Sequence, residues 1–370
     1  MASIYNDKSP GGTLNIVGML HEVKEGNNIW TQGRIRASQM HVIETLTKKE
    51  YSIHMIKAQI QDQHLLDHLD HIHKDGMSVF VMADGLFRGA FFHGTRFVNQ
   101  MRANHQLGIL ETMVLGQACL STALMIPTMK GRGRLTFRYD TNGPAAGFST
   151  EADSTGTVRG YLLQDPIPLD KPLESWDLAP FFGPGTVTVS RFNEGAREPQ
   201  TGSVEIRHRN IAQDLAWYFA QSEQIYTAFN TSIQFDKEGR VVGAGGMFLQ
   251  KMPAIGGLSG KELAERLAYE QEITEAVEHA FQAAPSYGQW FSEGGDRDDI
   301  IYGLFRDFKP AVALERDIIF DCPCSRERYL AAIRNLGKDE VEDMKRNGPD
   351  PLEVICHNCG SVYHIPVAEL

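Results

Sequence analysis

Five cysteines in 370 residues is a small number, and no export signal accompanies them: the opening MASIYNDKSPGG has no apolar stretch. A secreted protein held by constitutive disulfides is therefore not expected, and a reducing cytoplasm is the expected compartment. Positive charge is also in short supply. Lys and Arg number 36 against 47 Asp and Glu, a formal net charge of −11, which argues against a nucleic-acid partner. Long apolar runs are nearly absent. The one window of bilayer length, residues 108–129, contains Glu111, Gln117 and Pro127, so a buried core helix is expected there and no membrane span. Cys119, inside that window, reads as an inert core residue. No phosphate loop, paired carboxylate or Ser/His/Asp order accompanies the polar run Gln221-Ser222-Glu223-Gln224, so no enzyme centre is expected there.

What is present is a quartet. Cys322 and Cys324 form a CxC, and after 31 intervening residues Cys356 and Cys359 form a CxxC. Two tight pairs separated by a loop bring four sulfurs to the corners of a tetrahedron, the closed arrangement of a structural Zn²⁺ site. A thioredoxin-like CxxC is the competing reading, but it follows a strand and opens a helix, whereas Gly360, Val362, Tyr363 and Ile365 read as a turn into a strand. From Cys322 to Leu370 there are 49 residues, too few for a self-sufficient core without a metal. Structural zinc contributes on the order of 10–16 kcal/mol of apparent binding free energy, more than such a module's whole stability. Its ligands are the oxidisable form of cysteine. An extended CxC spans about 6.6–7 Å between Cα atoms, at or beyond the limit for a disulfide. Oxidation and the folded knuckle are then incompatible, which suggests an oxidation-triggered unfolding switch; an inert zinc knuckle is the plainer alternative.

With 42% apolar and 22% charged residues the chain is globular and long enough for two or three domains. Residues 1–76 carry seven of the thirteen histidines, and residues 38–74 read as helical, with His64, His68 and His71 on one face. A solvated histidine face is the commoner outcome of that spacing, a metal site the rarer one. From Met77 short strands alternate with turn signals, then the helix over 106–126, then strands over 134–139, 145–150, 157–163, 186–190 and 203–208. Residues 211–224 return to helical spacing. Gly243 to Gly246 marks a bend or a close backbone approach between two short strands. Residues 256–312 hold a helix capped by Ser259 and Glu262, and with five Lys/Arg against eleven Asp/Glu they read as an acidic, metastable linker or an ordinary spacer.

Taken together, Cys322-Pro-Cys324-Ser325-Arg326-Glu327-Arg328, Leu336-Gly337, Glu340 and Cys356-His-Asn-Cys359 with Tyr363 resemble the zinc domain of the heat-shock protein 33 family of redox-regulated chaperones. Upstream, Leu115-Gly116, Thr157-Val-Arg159-Gly160-Tyr161, Glu198-Pro-Gln-Thr-Gly202-Ser-Val204-Glu205 and Tyr218-Phe-Ala-Gln-Ser222-Glu-Gln224 are similar to that family's core in the same order, so the resemblance covers roughly residues 80–370. It implies an α+β fold: an antiparallel-sheet core with buried helices, a helical linker and a small C-terminal zinc domain. The corresponding divisions are an extension over 1–76, a substrate-binding core over 77–255, a linker over 256–312 and a redox switch over 313–370. The resemblance further implies an ATP-independent holdase, inactive when reduced and zinc-bound. Oxidation pairs Cys322 with Cys324 and Cys356 with Cys359, releases zinc, unfolds the switch and yields a form that dimerises and holds unfolded client proteins. Removing residues 1–76, which have no counterpart in the family, is expected to leave that response intact. Two other classes share the quartet: a constitutive zinc-stabilised interaction or regulatory protein, and a thiol-disulfide oxidoreductase using Cys356 and Cys359.

Overall fold

The computed structural model describes residues 18–24, 27–36, 55–169, 171–173, 175–253 and 260–370. They divide into two compact units. One comprises Ile60–Arg102 and Leu107–Phe320; the other comprises the described residues up to Gln59 together with Ala103–Gln106 and Asp321–Leu370. In chain order the first elements are β1 (Gly18–Lys24), β2 (Asn27–Arg36), α1 (Gln63–His71), β3 (Gly76–Met82), β4 (Phe87–His93), α2 (Thr95–His105) and α3 (Ile109–Leu124). There follow β5 (Gly133–Thr141), β6 (Gly147–Asp153), β7 (Thr157–Leu162), β8 (Gly185–Asn193), β9 (Gln200–Glu205), α4 (Ile211–Tyr218), β10 (Thr227–Phe235) and β11 (Val241–Lys251). The remainder is α5 (Gly260–Gln282), α6 (Tyr287–Ser292), α7 (Arg297–Leu304), β12 (Ala311–Arg316), β13 (Ile319–Phe320), α8 (Arg326–Arg334), α9 (Lys338–Asn347), β14 (Leu352–Cys356) and β15 (Val362–Ile365).

The larger unit is α+β, as expected. Its first sheet runs β10-β11-β4-β3-β12, antiparallel throughout; its second runs β13-β7-β6-β5-β8-β9, antiparallel except for the short β13 beside β7. Helix α3 lies between them, touching β5, β6 and β7 of one sheet and β4, β10 and β11 of the other. A helix in that position has no solvent face, which is why 108–129 reads as apolar all round. It is long and apolar enough to cross a bilayer, yet it is buried inside this unit. Two of its polar side chains find partners there: Thr122 Oγ1 donates to Ala118 O at 2.8 Å and pairs with Thr150 Oγ1 at 2.6 Å, and Glu111 accepts from Ile167 N at 2.9 Å. Cys119 is fully buried in α3, and burial pushes its thiol up, so it stays a neutral core group.

A buried carboxylate organises the second sheet's edge. Asp214, with no exposed surface, accepts from Tyr139 Oη at 2.8 Å and from the backbone N–H groups of Arg207, His208 and Asn210 at 2.9, 2.7 and 3.1 Å. Four donors compensate its desolvation and fix the start of α4 against β5. The family-like motifs around Gly202 and Ser222 meet here as well. A Cβ at Gly202 would lie 2.2 Å from Ser222 Oγ and 2.8 Å from Tyr218 Oη, so only glycine lets β9 close on that turn. Glu223 is ion-paired with Arg191, which occupies the one carboxylate of the 221–224 run.

Several local expectations are revised. The helix expected over 38–74 is helical only over Gln63–His71; residues 55–62 are not helical, and 37–54 lie outside the described residues. The helix expected over 106–126 is α3, confined to Ile109–Leu124; a separate helix, α2, precedes it, and the chain turns between them at Gln106, whose φ is +56°. Glycines 243, 245 and 246 do not bend the chain: they lie inside the eleven-residue strand β11. What they provide is the close approach, since a Cβ at Gly243 would sit 1.9 Å from Gly288 O of α6. Ser259 of the expected capping box lies outside the described residues, and the 256–312 region, read as holding one helix, contains α6 and α7 as well as α5.

Helices α5, α6 and α7 cover the outer face of the first sheet. Val277, Tyr287, Phe291, Ile301 and Phe305 pack with Phe80, Phe87, Phe91, Met247 and Leu249 in one buried cluster. The cover is uneven. Among its described side chains, the 23-residue α5 buries only Glu270 and Val277, while Leu267 and Tyr269 are exposed. Strand β12, which follows the helices, spans the expected linker boundary at 312 and pairs with β3.

Candidate metal centre

The smaller unit brings the quartet together. Cys322 and Cys324 lie in the segment between β13 and α8, where Ser325 caps the helix by accepting from Arg328 N at 3.3 Å. Cys356 ends β14 and Cys359 sits in the turn to β15, a knuckle closed by Gly360 N donating to Cys356 O and Cys356 N donating to Ser361 O, both at 2.8 Å. Gly360 holds φ at +69°, and a Cβ there would meet Asn104 O at 2.2 Å; glycine is required on both counts. Arg326 anchors α8 to the C-terminal turn through Glu369 at 2.6 Å. The strand read after the CxxC is β15, antiparallel to β14.

All four Sγ atoms lie within 4.8 Å of one another and all four residues are buried. Cys322 Sγ is 3.9 Å from Cys356 Sγ, and Cys324 Sγ is 3.4 Å from Cys359 Sγ. A tetrahedron of sulfurs about 2.3 Å from a central ion has edges of about 3.8 Å, so the donor set fits a tetrahedral thiophilic cation. None of the five cysteines is joined in a disulfide. The electrostatics agree. Mutual hydrogen bonding, with Cys322 the largest contributor, pushes the Cys324 and Cys359 thiols far up, because four anions cannot share so small a space. A dication reverses that balance and lets the thiols ionise.

Around the sulfurs stand oriented hydroxyls. Tyr363 Oη lies 3.1 Å from Cys324 Sγ and donates to Cys324 O at 3.2 Å; Ser361 Oγ lies 3.1 Å from Cys359 Sγ. Tyr329 packs on Tyr363 with ring centroids 5.5 Å apart. Ser361 went unnoticed in the sequence: no pattern distinguishes a serine beside a CxxC from any turn serine. Two of the three histidines of α1 are engaged otherwise. His68 Nε2 meets Val242 O at 2.7 Å and His71 Nδ1 meets Asp67 O at 2.6 Å, and among the described residues the cysteines form the only cluster able to hold an ion.

The family described as "Hsp33 protein" matches residues 75–366. The chain belongs to the Hsp33 family. Relatives named "33 kDa chaperonin" include one from Thermotoga maritima, 32% identical over 77% of this chain and 95% of its own, and one from Citrifermentans bemidjiense, 31% identical over 75% and 88%. The crystal structure of the Thermotoga maritima 33 kDa chaperonin superposes with a TM-score of 0.68 at 29% identity, covering 80% of this chain and 96% of that one. The resemblance read from the motifs is thus established at the level of family and fold, and the Hsp33 match begins at residue 75.

Beside the linker-side helices the larger unit holds an apolar cavity of about 470 Å³. Phe87, Trp217, Phe229, Leu249, Val277 and Phe281 are among the residues of its wall, drawn from the first sheet, α4 and α5.

Proposed function

We propose that this chain is a cytoplasmic, ATP-independent holdase and not an enzyme, latent when reduced and activated by oxidation of its C-terminal cysteines. The observation that carries the reading is the set of four buried, closely clustered cysteine sulfurs in a member of the Hsp33 family. Cys322, Cys324, Cys356 and Cys359 would hold Zn²⁺, which when bound stabilises four thiolates and the small fold around them. Domain limits of 1–76, 77–255, 256–312 and 313–370 separate extension, core, linker and switch.

The chain's own residues set the activation step. In each pair, one thiolate attacks hydrogen peroxide to give a sulfenic acid and hydroxide; its partner then displaces the second hydroxide and an S–S bond forms. Two electrons pass to one peroxide and two protons complete two waters. The pairs are Cys322 with Cys324 and Cys356 with Cys359. Closing the first distorts the CxC backbone, so the module loses both its ligands and its geometry. Helix α5 has only two fully buried anchors among its described side chains and is the element most easily released. Its release uncovers Phe87, Leu249 and the cavity wall, apolar surface suited to unfolded client proteins. The oxidised form is a homodimer through such surface.

The test is light scattering from a heat-unfolding client protein, with reduced zinc-loaded chain compared with chain treated with peroxide at elevated temperature. Suppression by the oxidised, zinc-depleted sample alone is expected. Equal suppression, or suppression by the reduced sample alone, would sink the switch and leave a constitutive zinc-stabilised protein.

A further inference from the structure

The residues just before the Hsp33 match are bonded to the cysteine cluster. Met55, which is buried, donates its N–H to Cys322 O at 3.1 Å. Ile56 N donates to Ser361 Oγ at 3.0 Å, and that hydroxyl is in turn 3.1 Å from both Ile56 O and Cys359 Sγ. Asn104 closes the other side: its Nδ2 donates to Ile56 O at 2.8 Å and its Oδ1 accepts from Ala58 N at 3.1 Å. The segment therefore reaches one cysteine of each pair, Cys322 through a backbone carbonyl and Cys359 through Ser361. A second tether lies earlier in the chain. Strand β2 pairs antiparallel with β14, with Gly33 opposite Cys356, so β1 and β2 enlarge the β14–β15 hairpin to four strands.

We propose that residues 55–58 form a strap that closes the cysteine cluster to oxidants, so that the extension preceding the family match sets the oxidant threshold of the switch. A serine hydroxyl has one proton and two lone pairs. Ser361 accepts from Ile56 N while its proton serves Cys359 Sγ or Ile56 O, so the strap and the sulfur share one group. Disulfide formation must draw Cys359 towards Cys356 and Cys322 towards Cys324, and each movement breaks a strap bond. Opening of the strap therefore precedes oxidation, and the rate of oxidation follows the fraction of open strap. This reverses the sequence-based expectation that the extension is dispensable for the response.

The inference rests on the metal-switch reading, and the experiment separates the two. Full-length reduced protein is exposed to sub-saturating peroxide while free thiols are counted and zinc is followed with a colorimetric chelator, for wild type, Asn104→Ala, Ile56→Pro and a chain lacking residues 1–58. Asn104→Ala removes two strap bonds without touching a cysteine, and thiol loss is expected to accelerate about thirtyfold, the population shift for two net hydrogen bonds. Ile56→Pro removes the N–H that Ser361 accepts and is expected to act in the same direction, with increased hydrogen exchange at residues 359–361 before any oxidant is added. In the truncated chain Asn104→Ala should add nothing. Equal thiol-loss rates in all four proteins, or an undiminished Asn104→Ala effect after truncation, overturn the strap. Reduced wild type that carries no zinc sinks the metal reading instead, and the thiol counts still decide the strap.

Discussion

Val277→Ala tests whether α5 is the weakly held element. Val277 is 2% exposed and packs with Phe87, Leu249 and Tyr287 in the cluster beneath the linker-side helices. Truncation removes two buried carbons, about 2 kcal/mol. Alanine returns about 0.5 kcal/mol of helix propensity, leaving a net loss of about 1.5 kcal/mol, or about tenfold in the undocked population. The wall cannot relax to fill the space, since Val277 already lines a cavity of about 470 Å³. The remaining anchors are modest. Glu270 is 3.7 Å from Lys251, Glu278 accepts from Tyr226 Oη, and Ile273 and Phe281 are only partly buried. Hydrogen exchange over residues 264–282 should accelerate about tenfold while β3 and β4 keep their protection, and the reduced protein should suppress client aggregation partially without oxidant. Unchanged exchange in α5, with the whole unit losing the same stability, would refute the argument: helix and sheet would then unfold together.

Three further outcomes are expected. Cys322→Ser removes one of four clustered sulfurs; zinc affinity should fall in a chelator competition and the protein should be partly active without oxidant, whereas a variant that keeps tight zinc and stays inert contradicts the switch. Asp214→Ala leaves three backbone N–H groups and Tyr139 Oη without their buried acceptor; a loss of about 3 kcal/mol is expected in denaturant unfolding, and a loss below about 1 kcal/mol would show that water replaces the carboxylate. His93 is buried, stacked on Phe291 at 4.0 Å and hydrogen-bonded to Thr95 at 2.8 Å, and burial pushes its pKa down to about 3. Its folded value lies below its unfolded one, so its contribution is whole above pH 6.5 and is lost as pH falls towards 3, on the order of 4 kcal/mol. His93→Phe should flatten that part of the stability profile, and a His93 ring resonance titrating near pH 6 would contradict it.

The sequence alone determined what depends on local pattern and ligand chemistry. Four cysteines as CxC and CxxC define a candidate ligand set whatever the loop between them does, and period-two runs such as 134–139 define strands because successive side chains alternate faces. A mostly apolar helix interrupted by Glu111 and Gln117 suits a protein core better than a bilayer. Tertiary structure decided the rest. Glycines 243, 245 and 246 look like a hinge until α6 is seen against β11, for a close approach and a bend leave the same glycines. The helix break at Gln106 rests on one left-handed residue, which no periodicity announces. Residues 55–58 carry no motif at all: their bonds to Cys322, Ser361 and Asn104 run through backbone groups every residue possesses, and the closest of those partners is 46 positions away. Such contacts depend on where the chain returns in space, which the order of side chains along it does not encode locally.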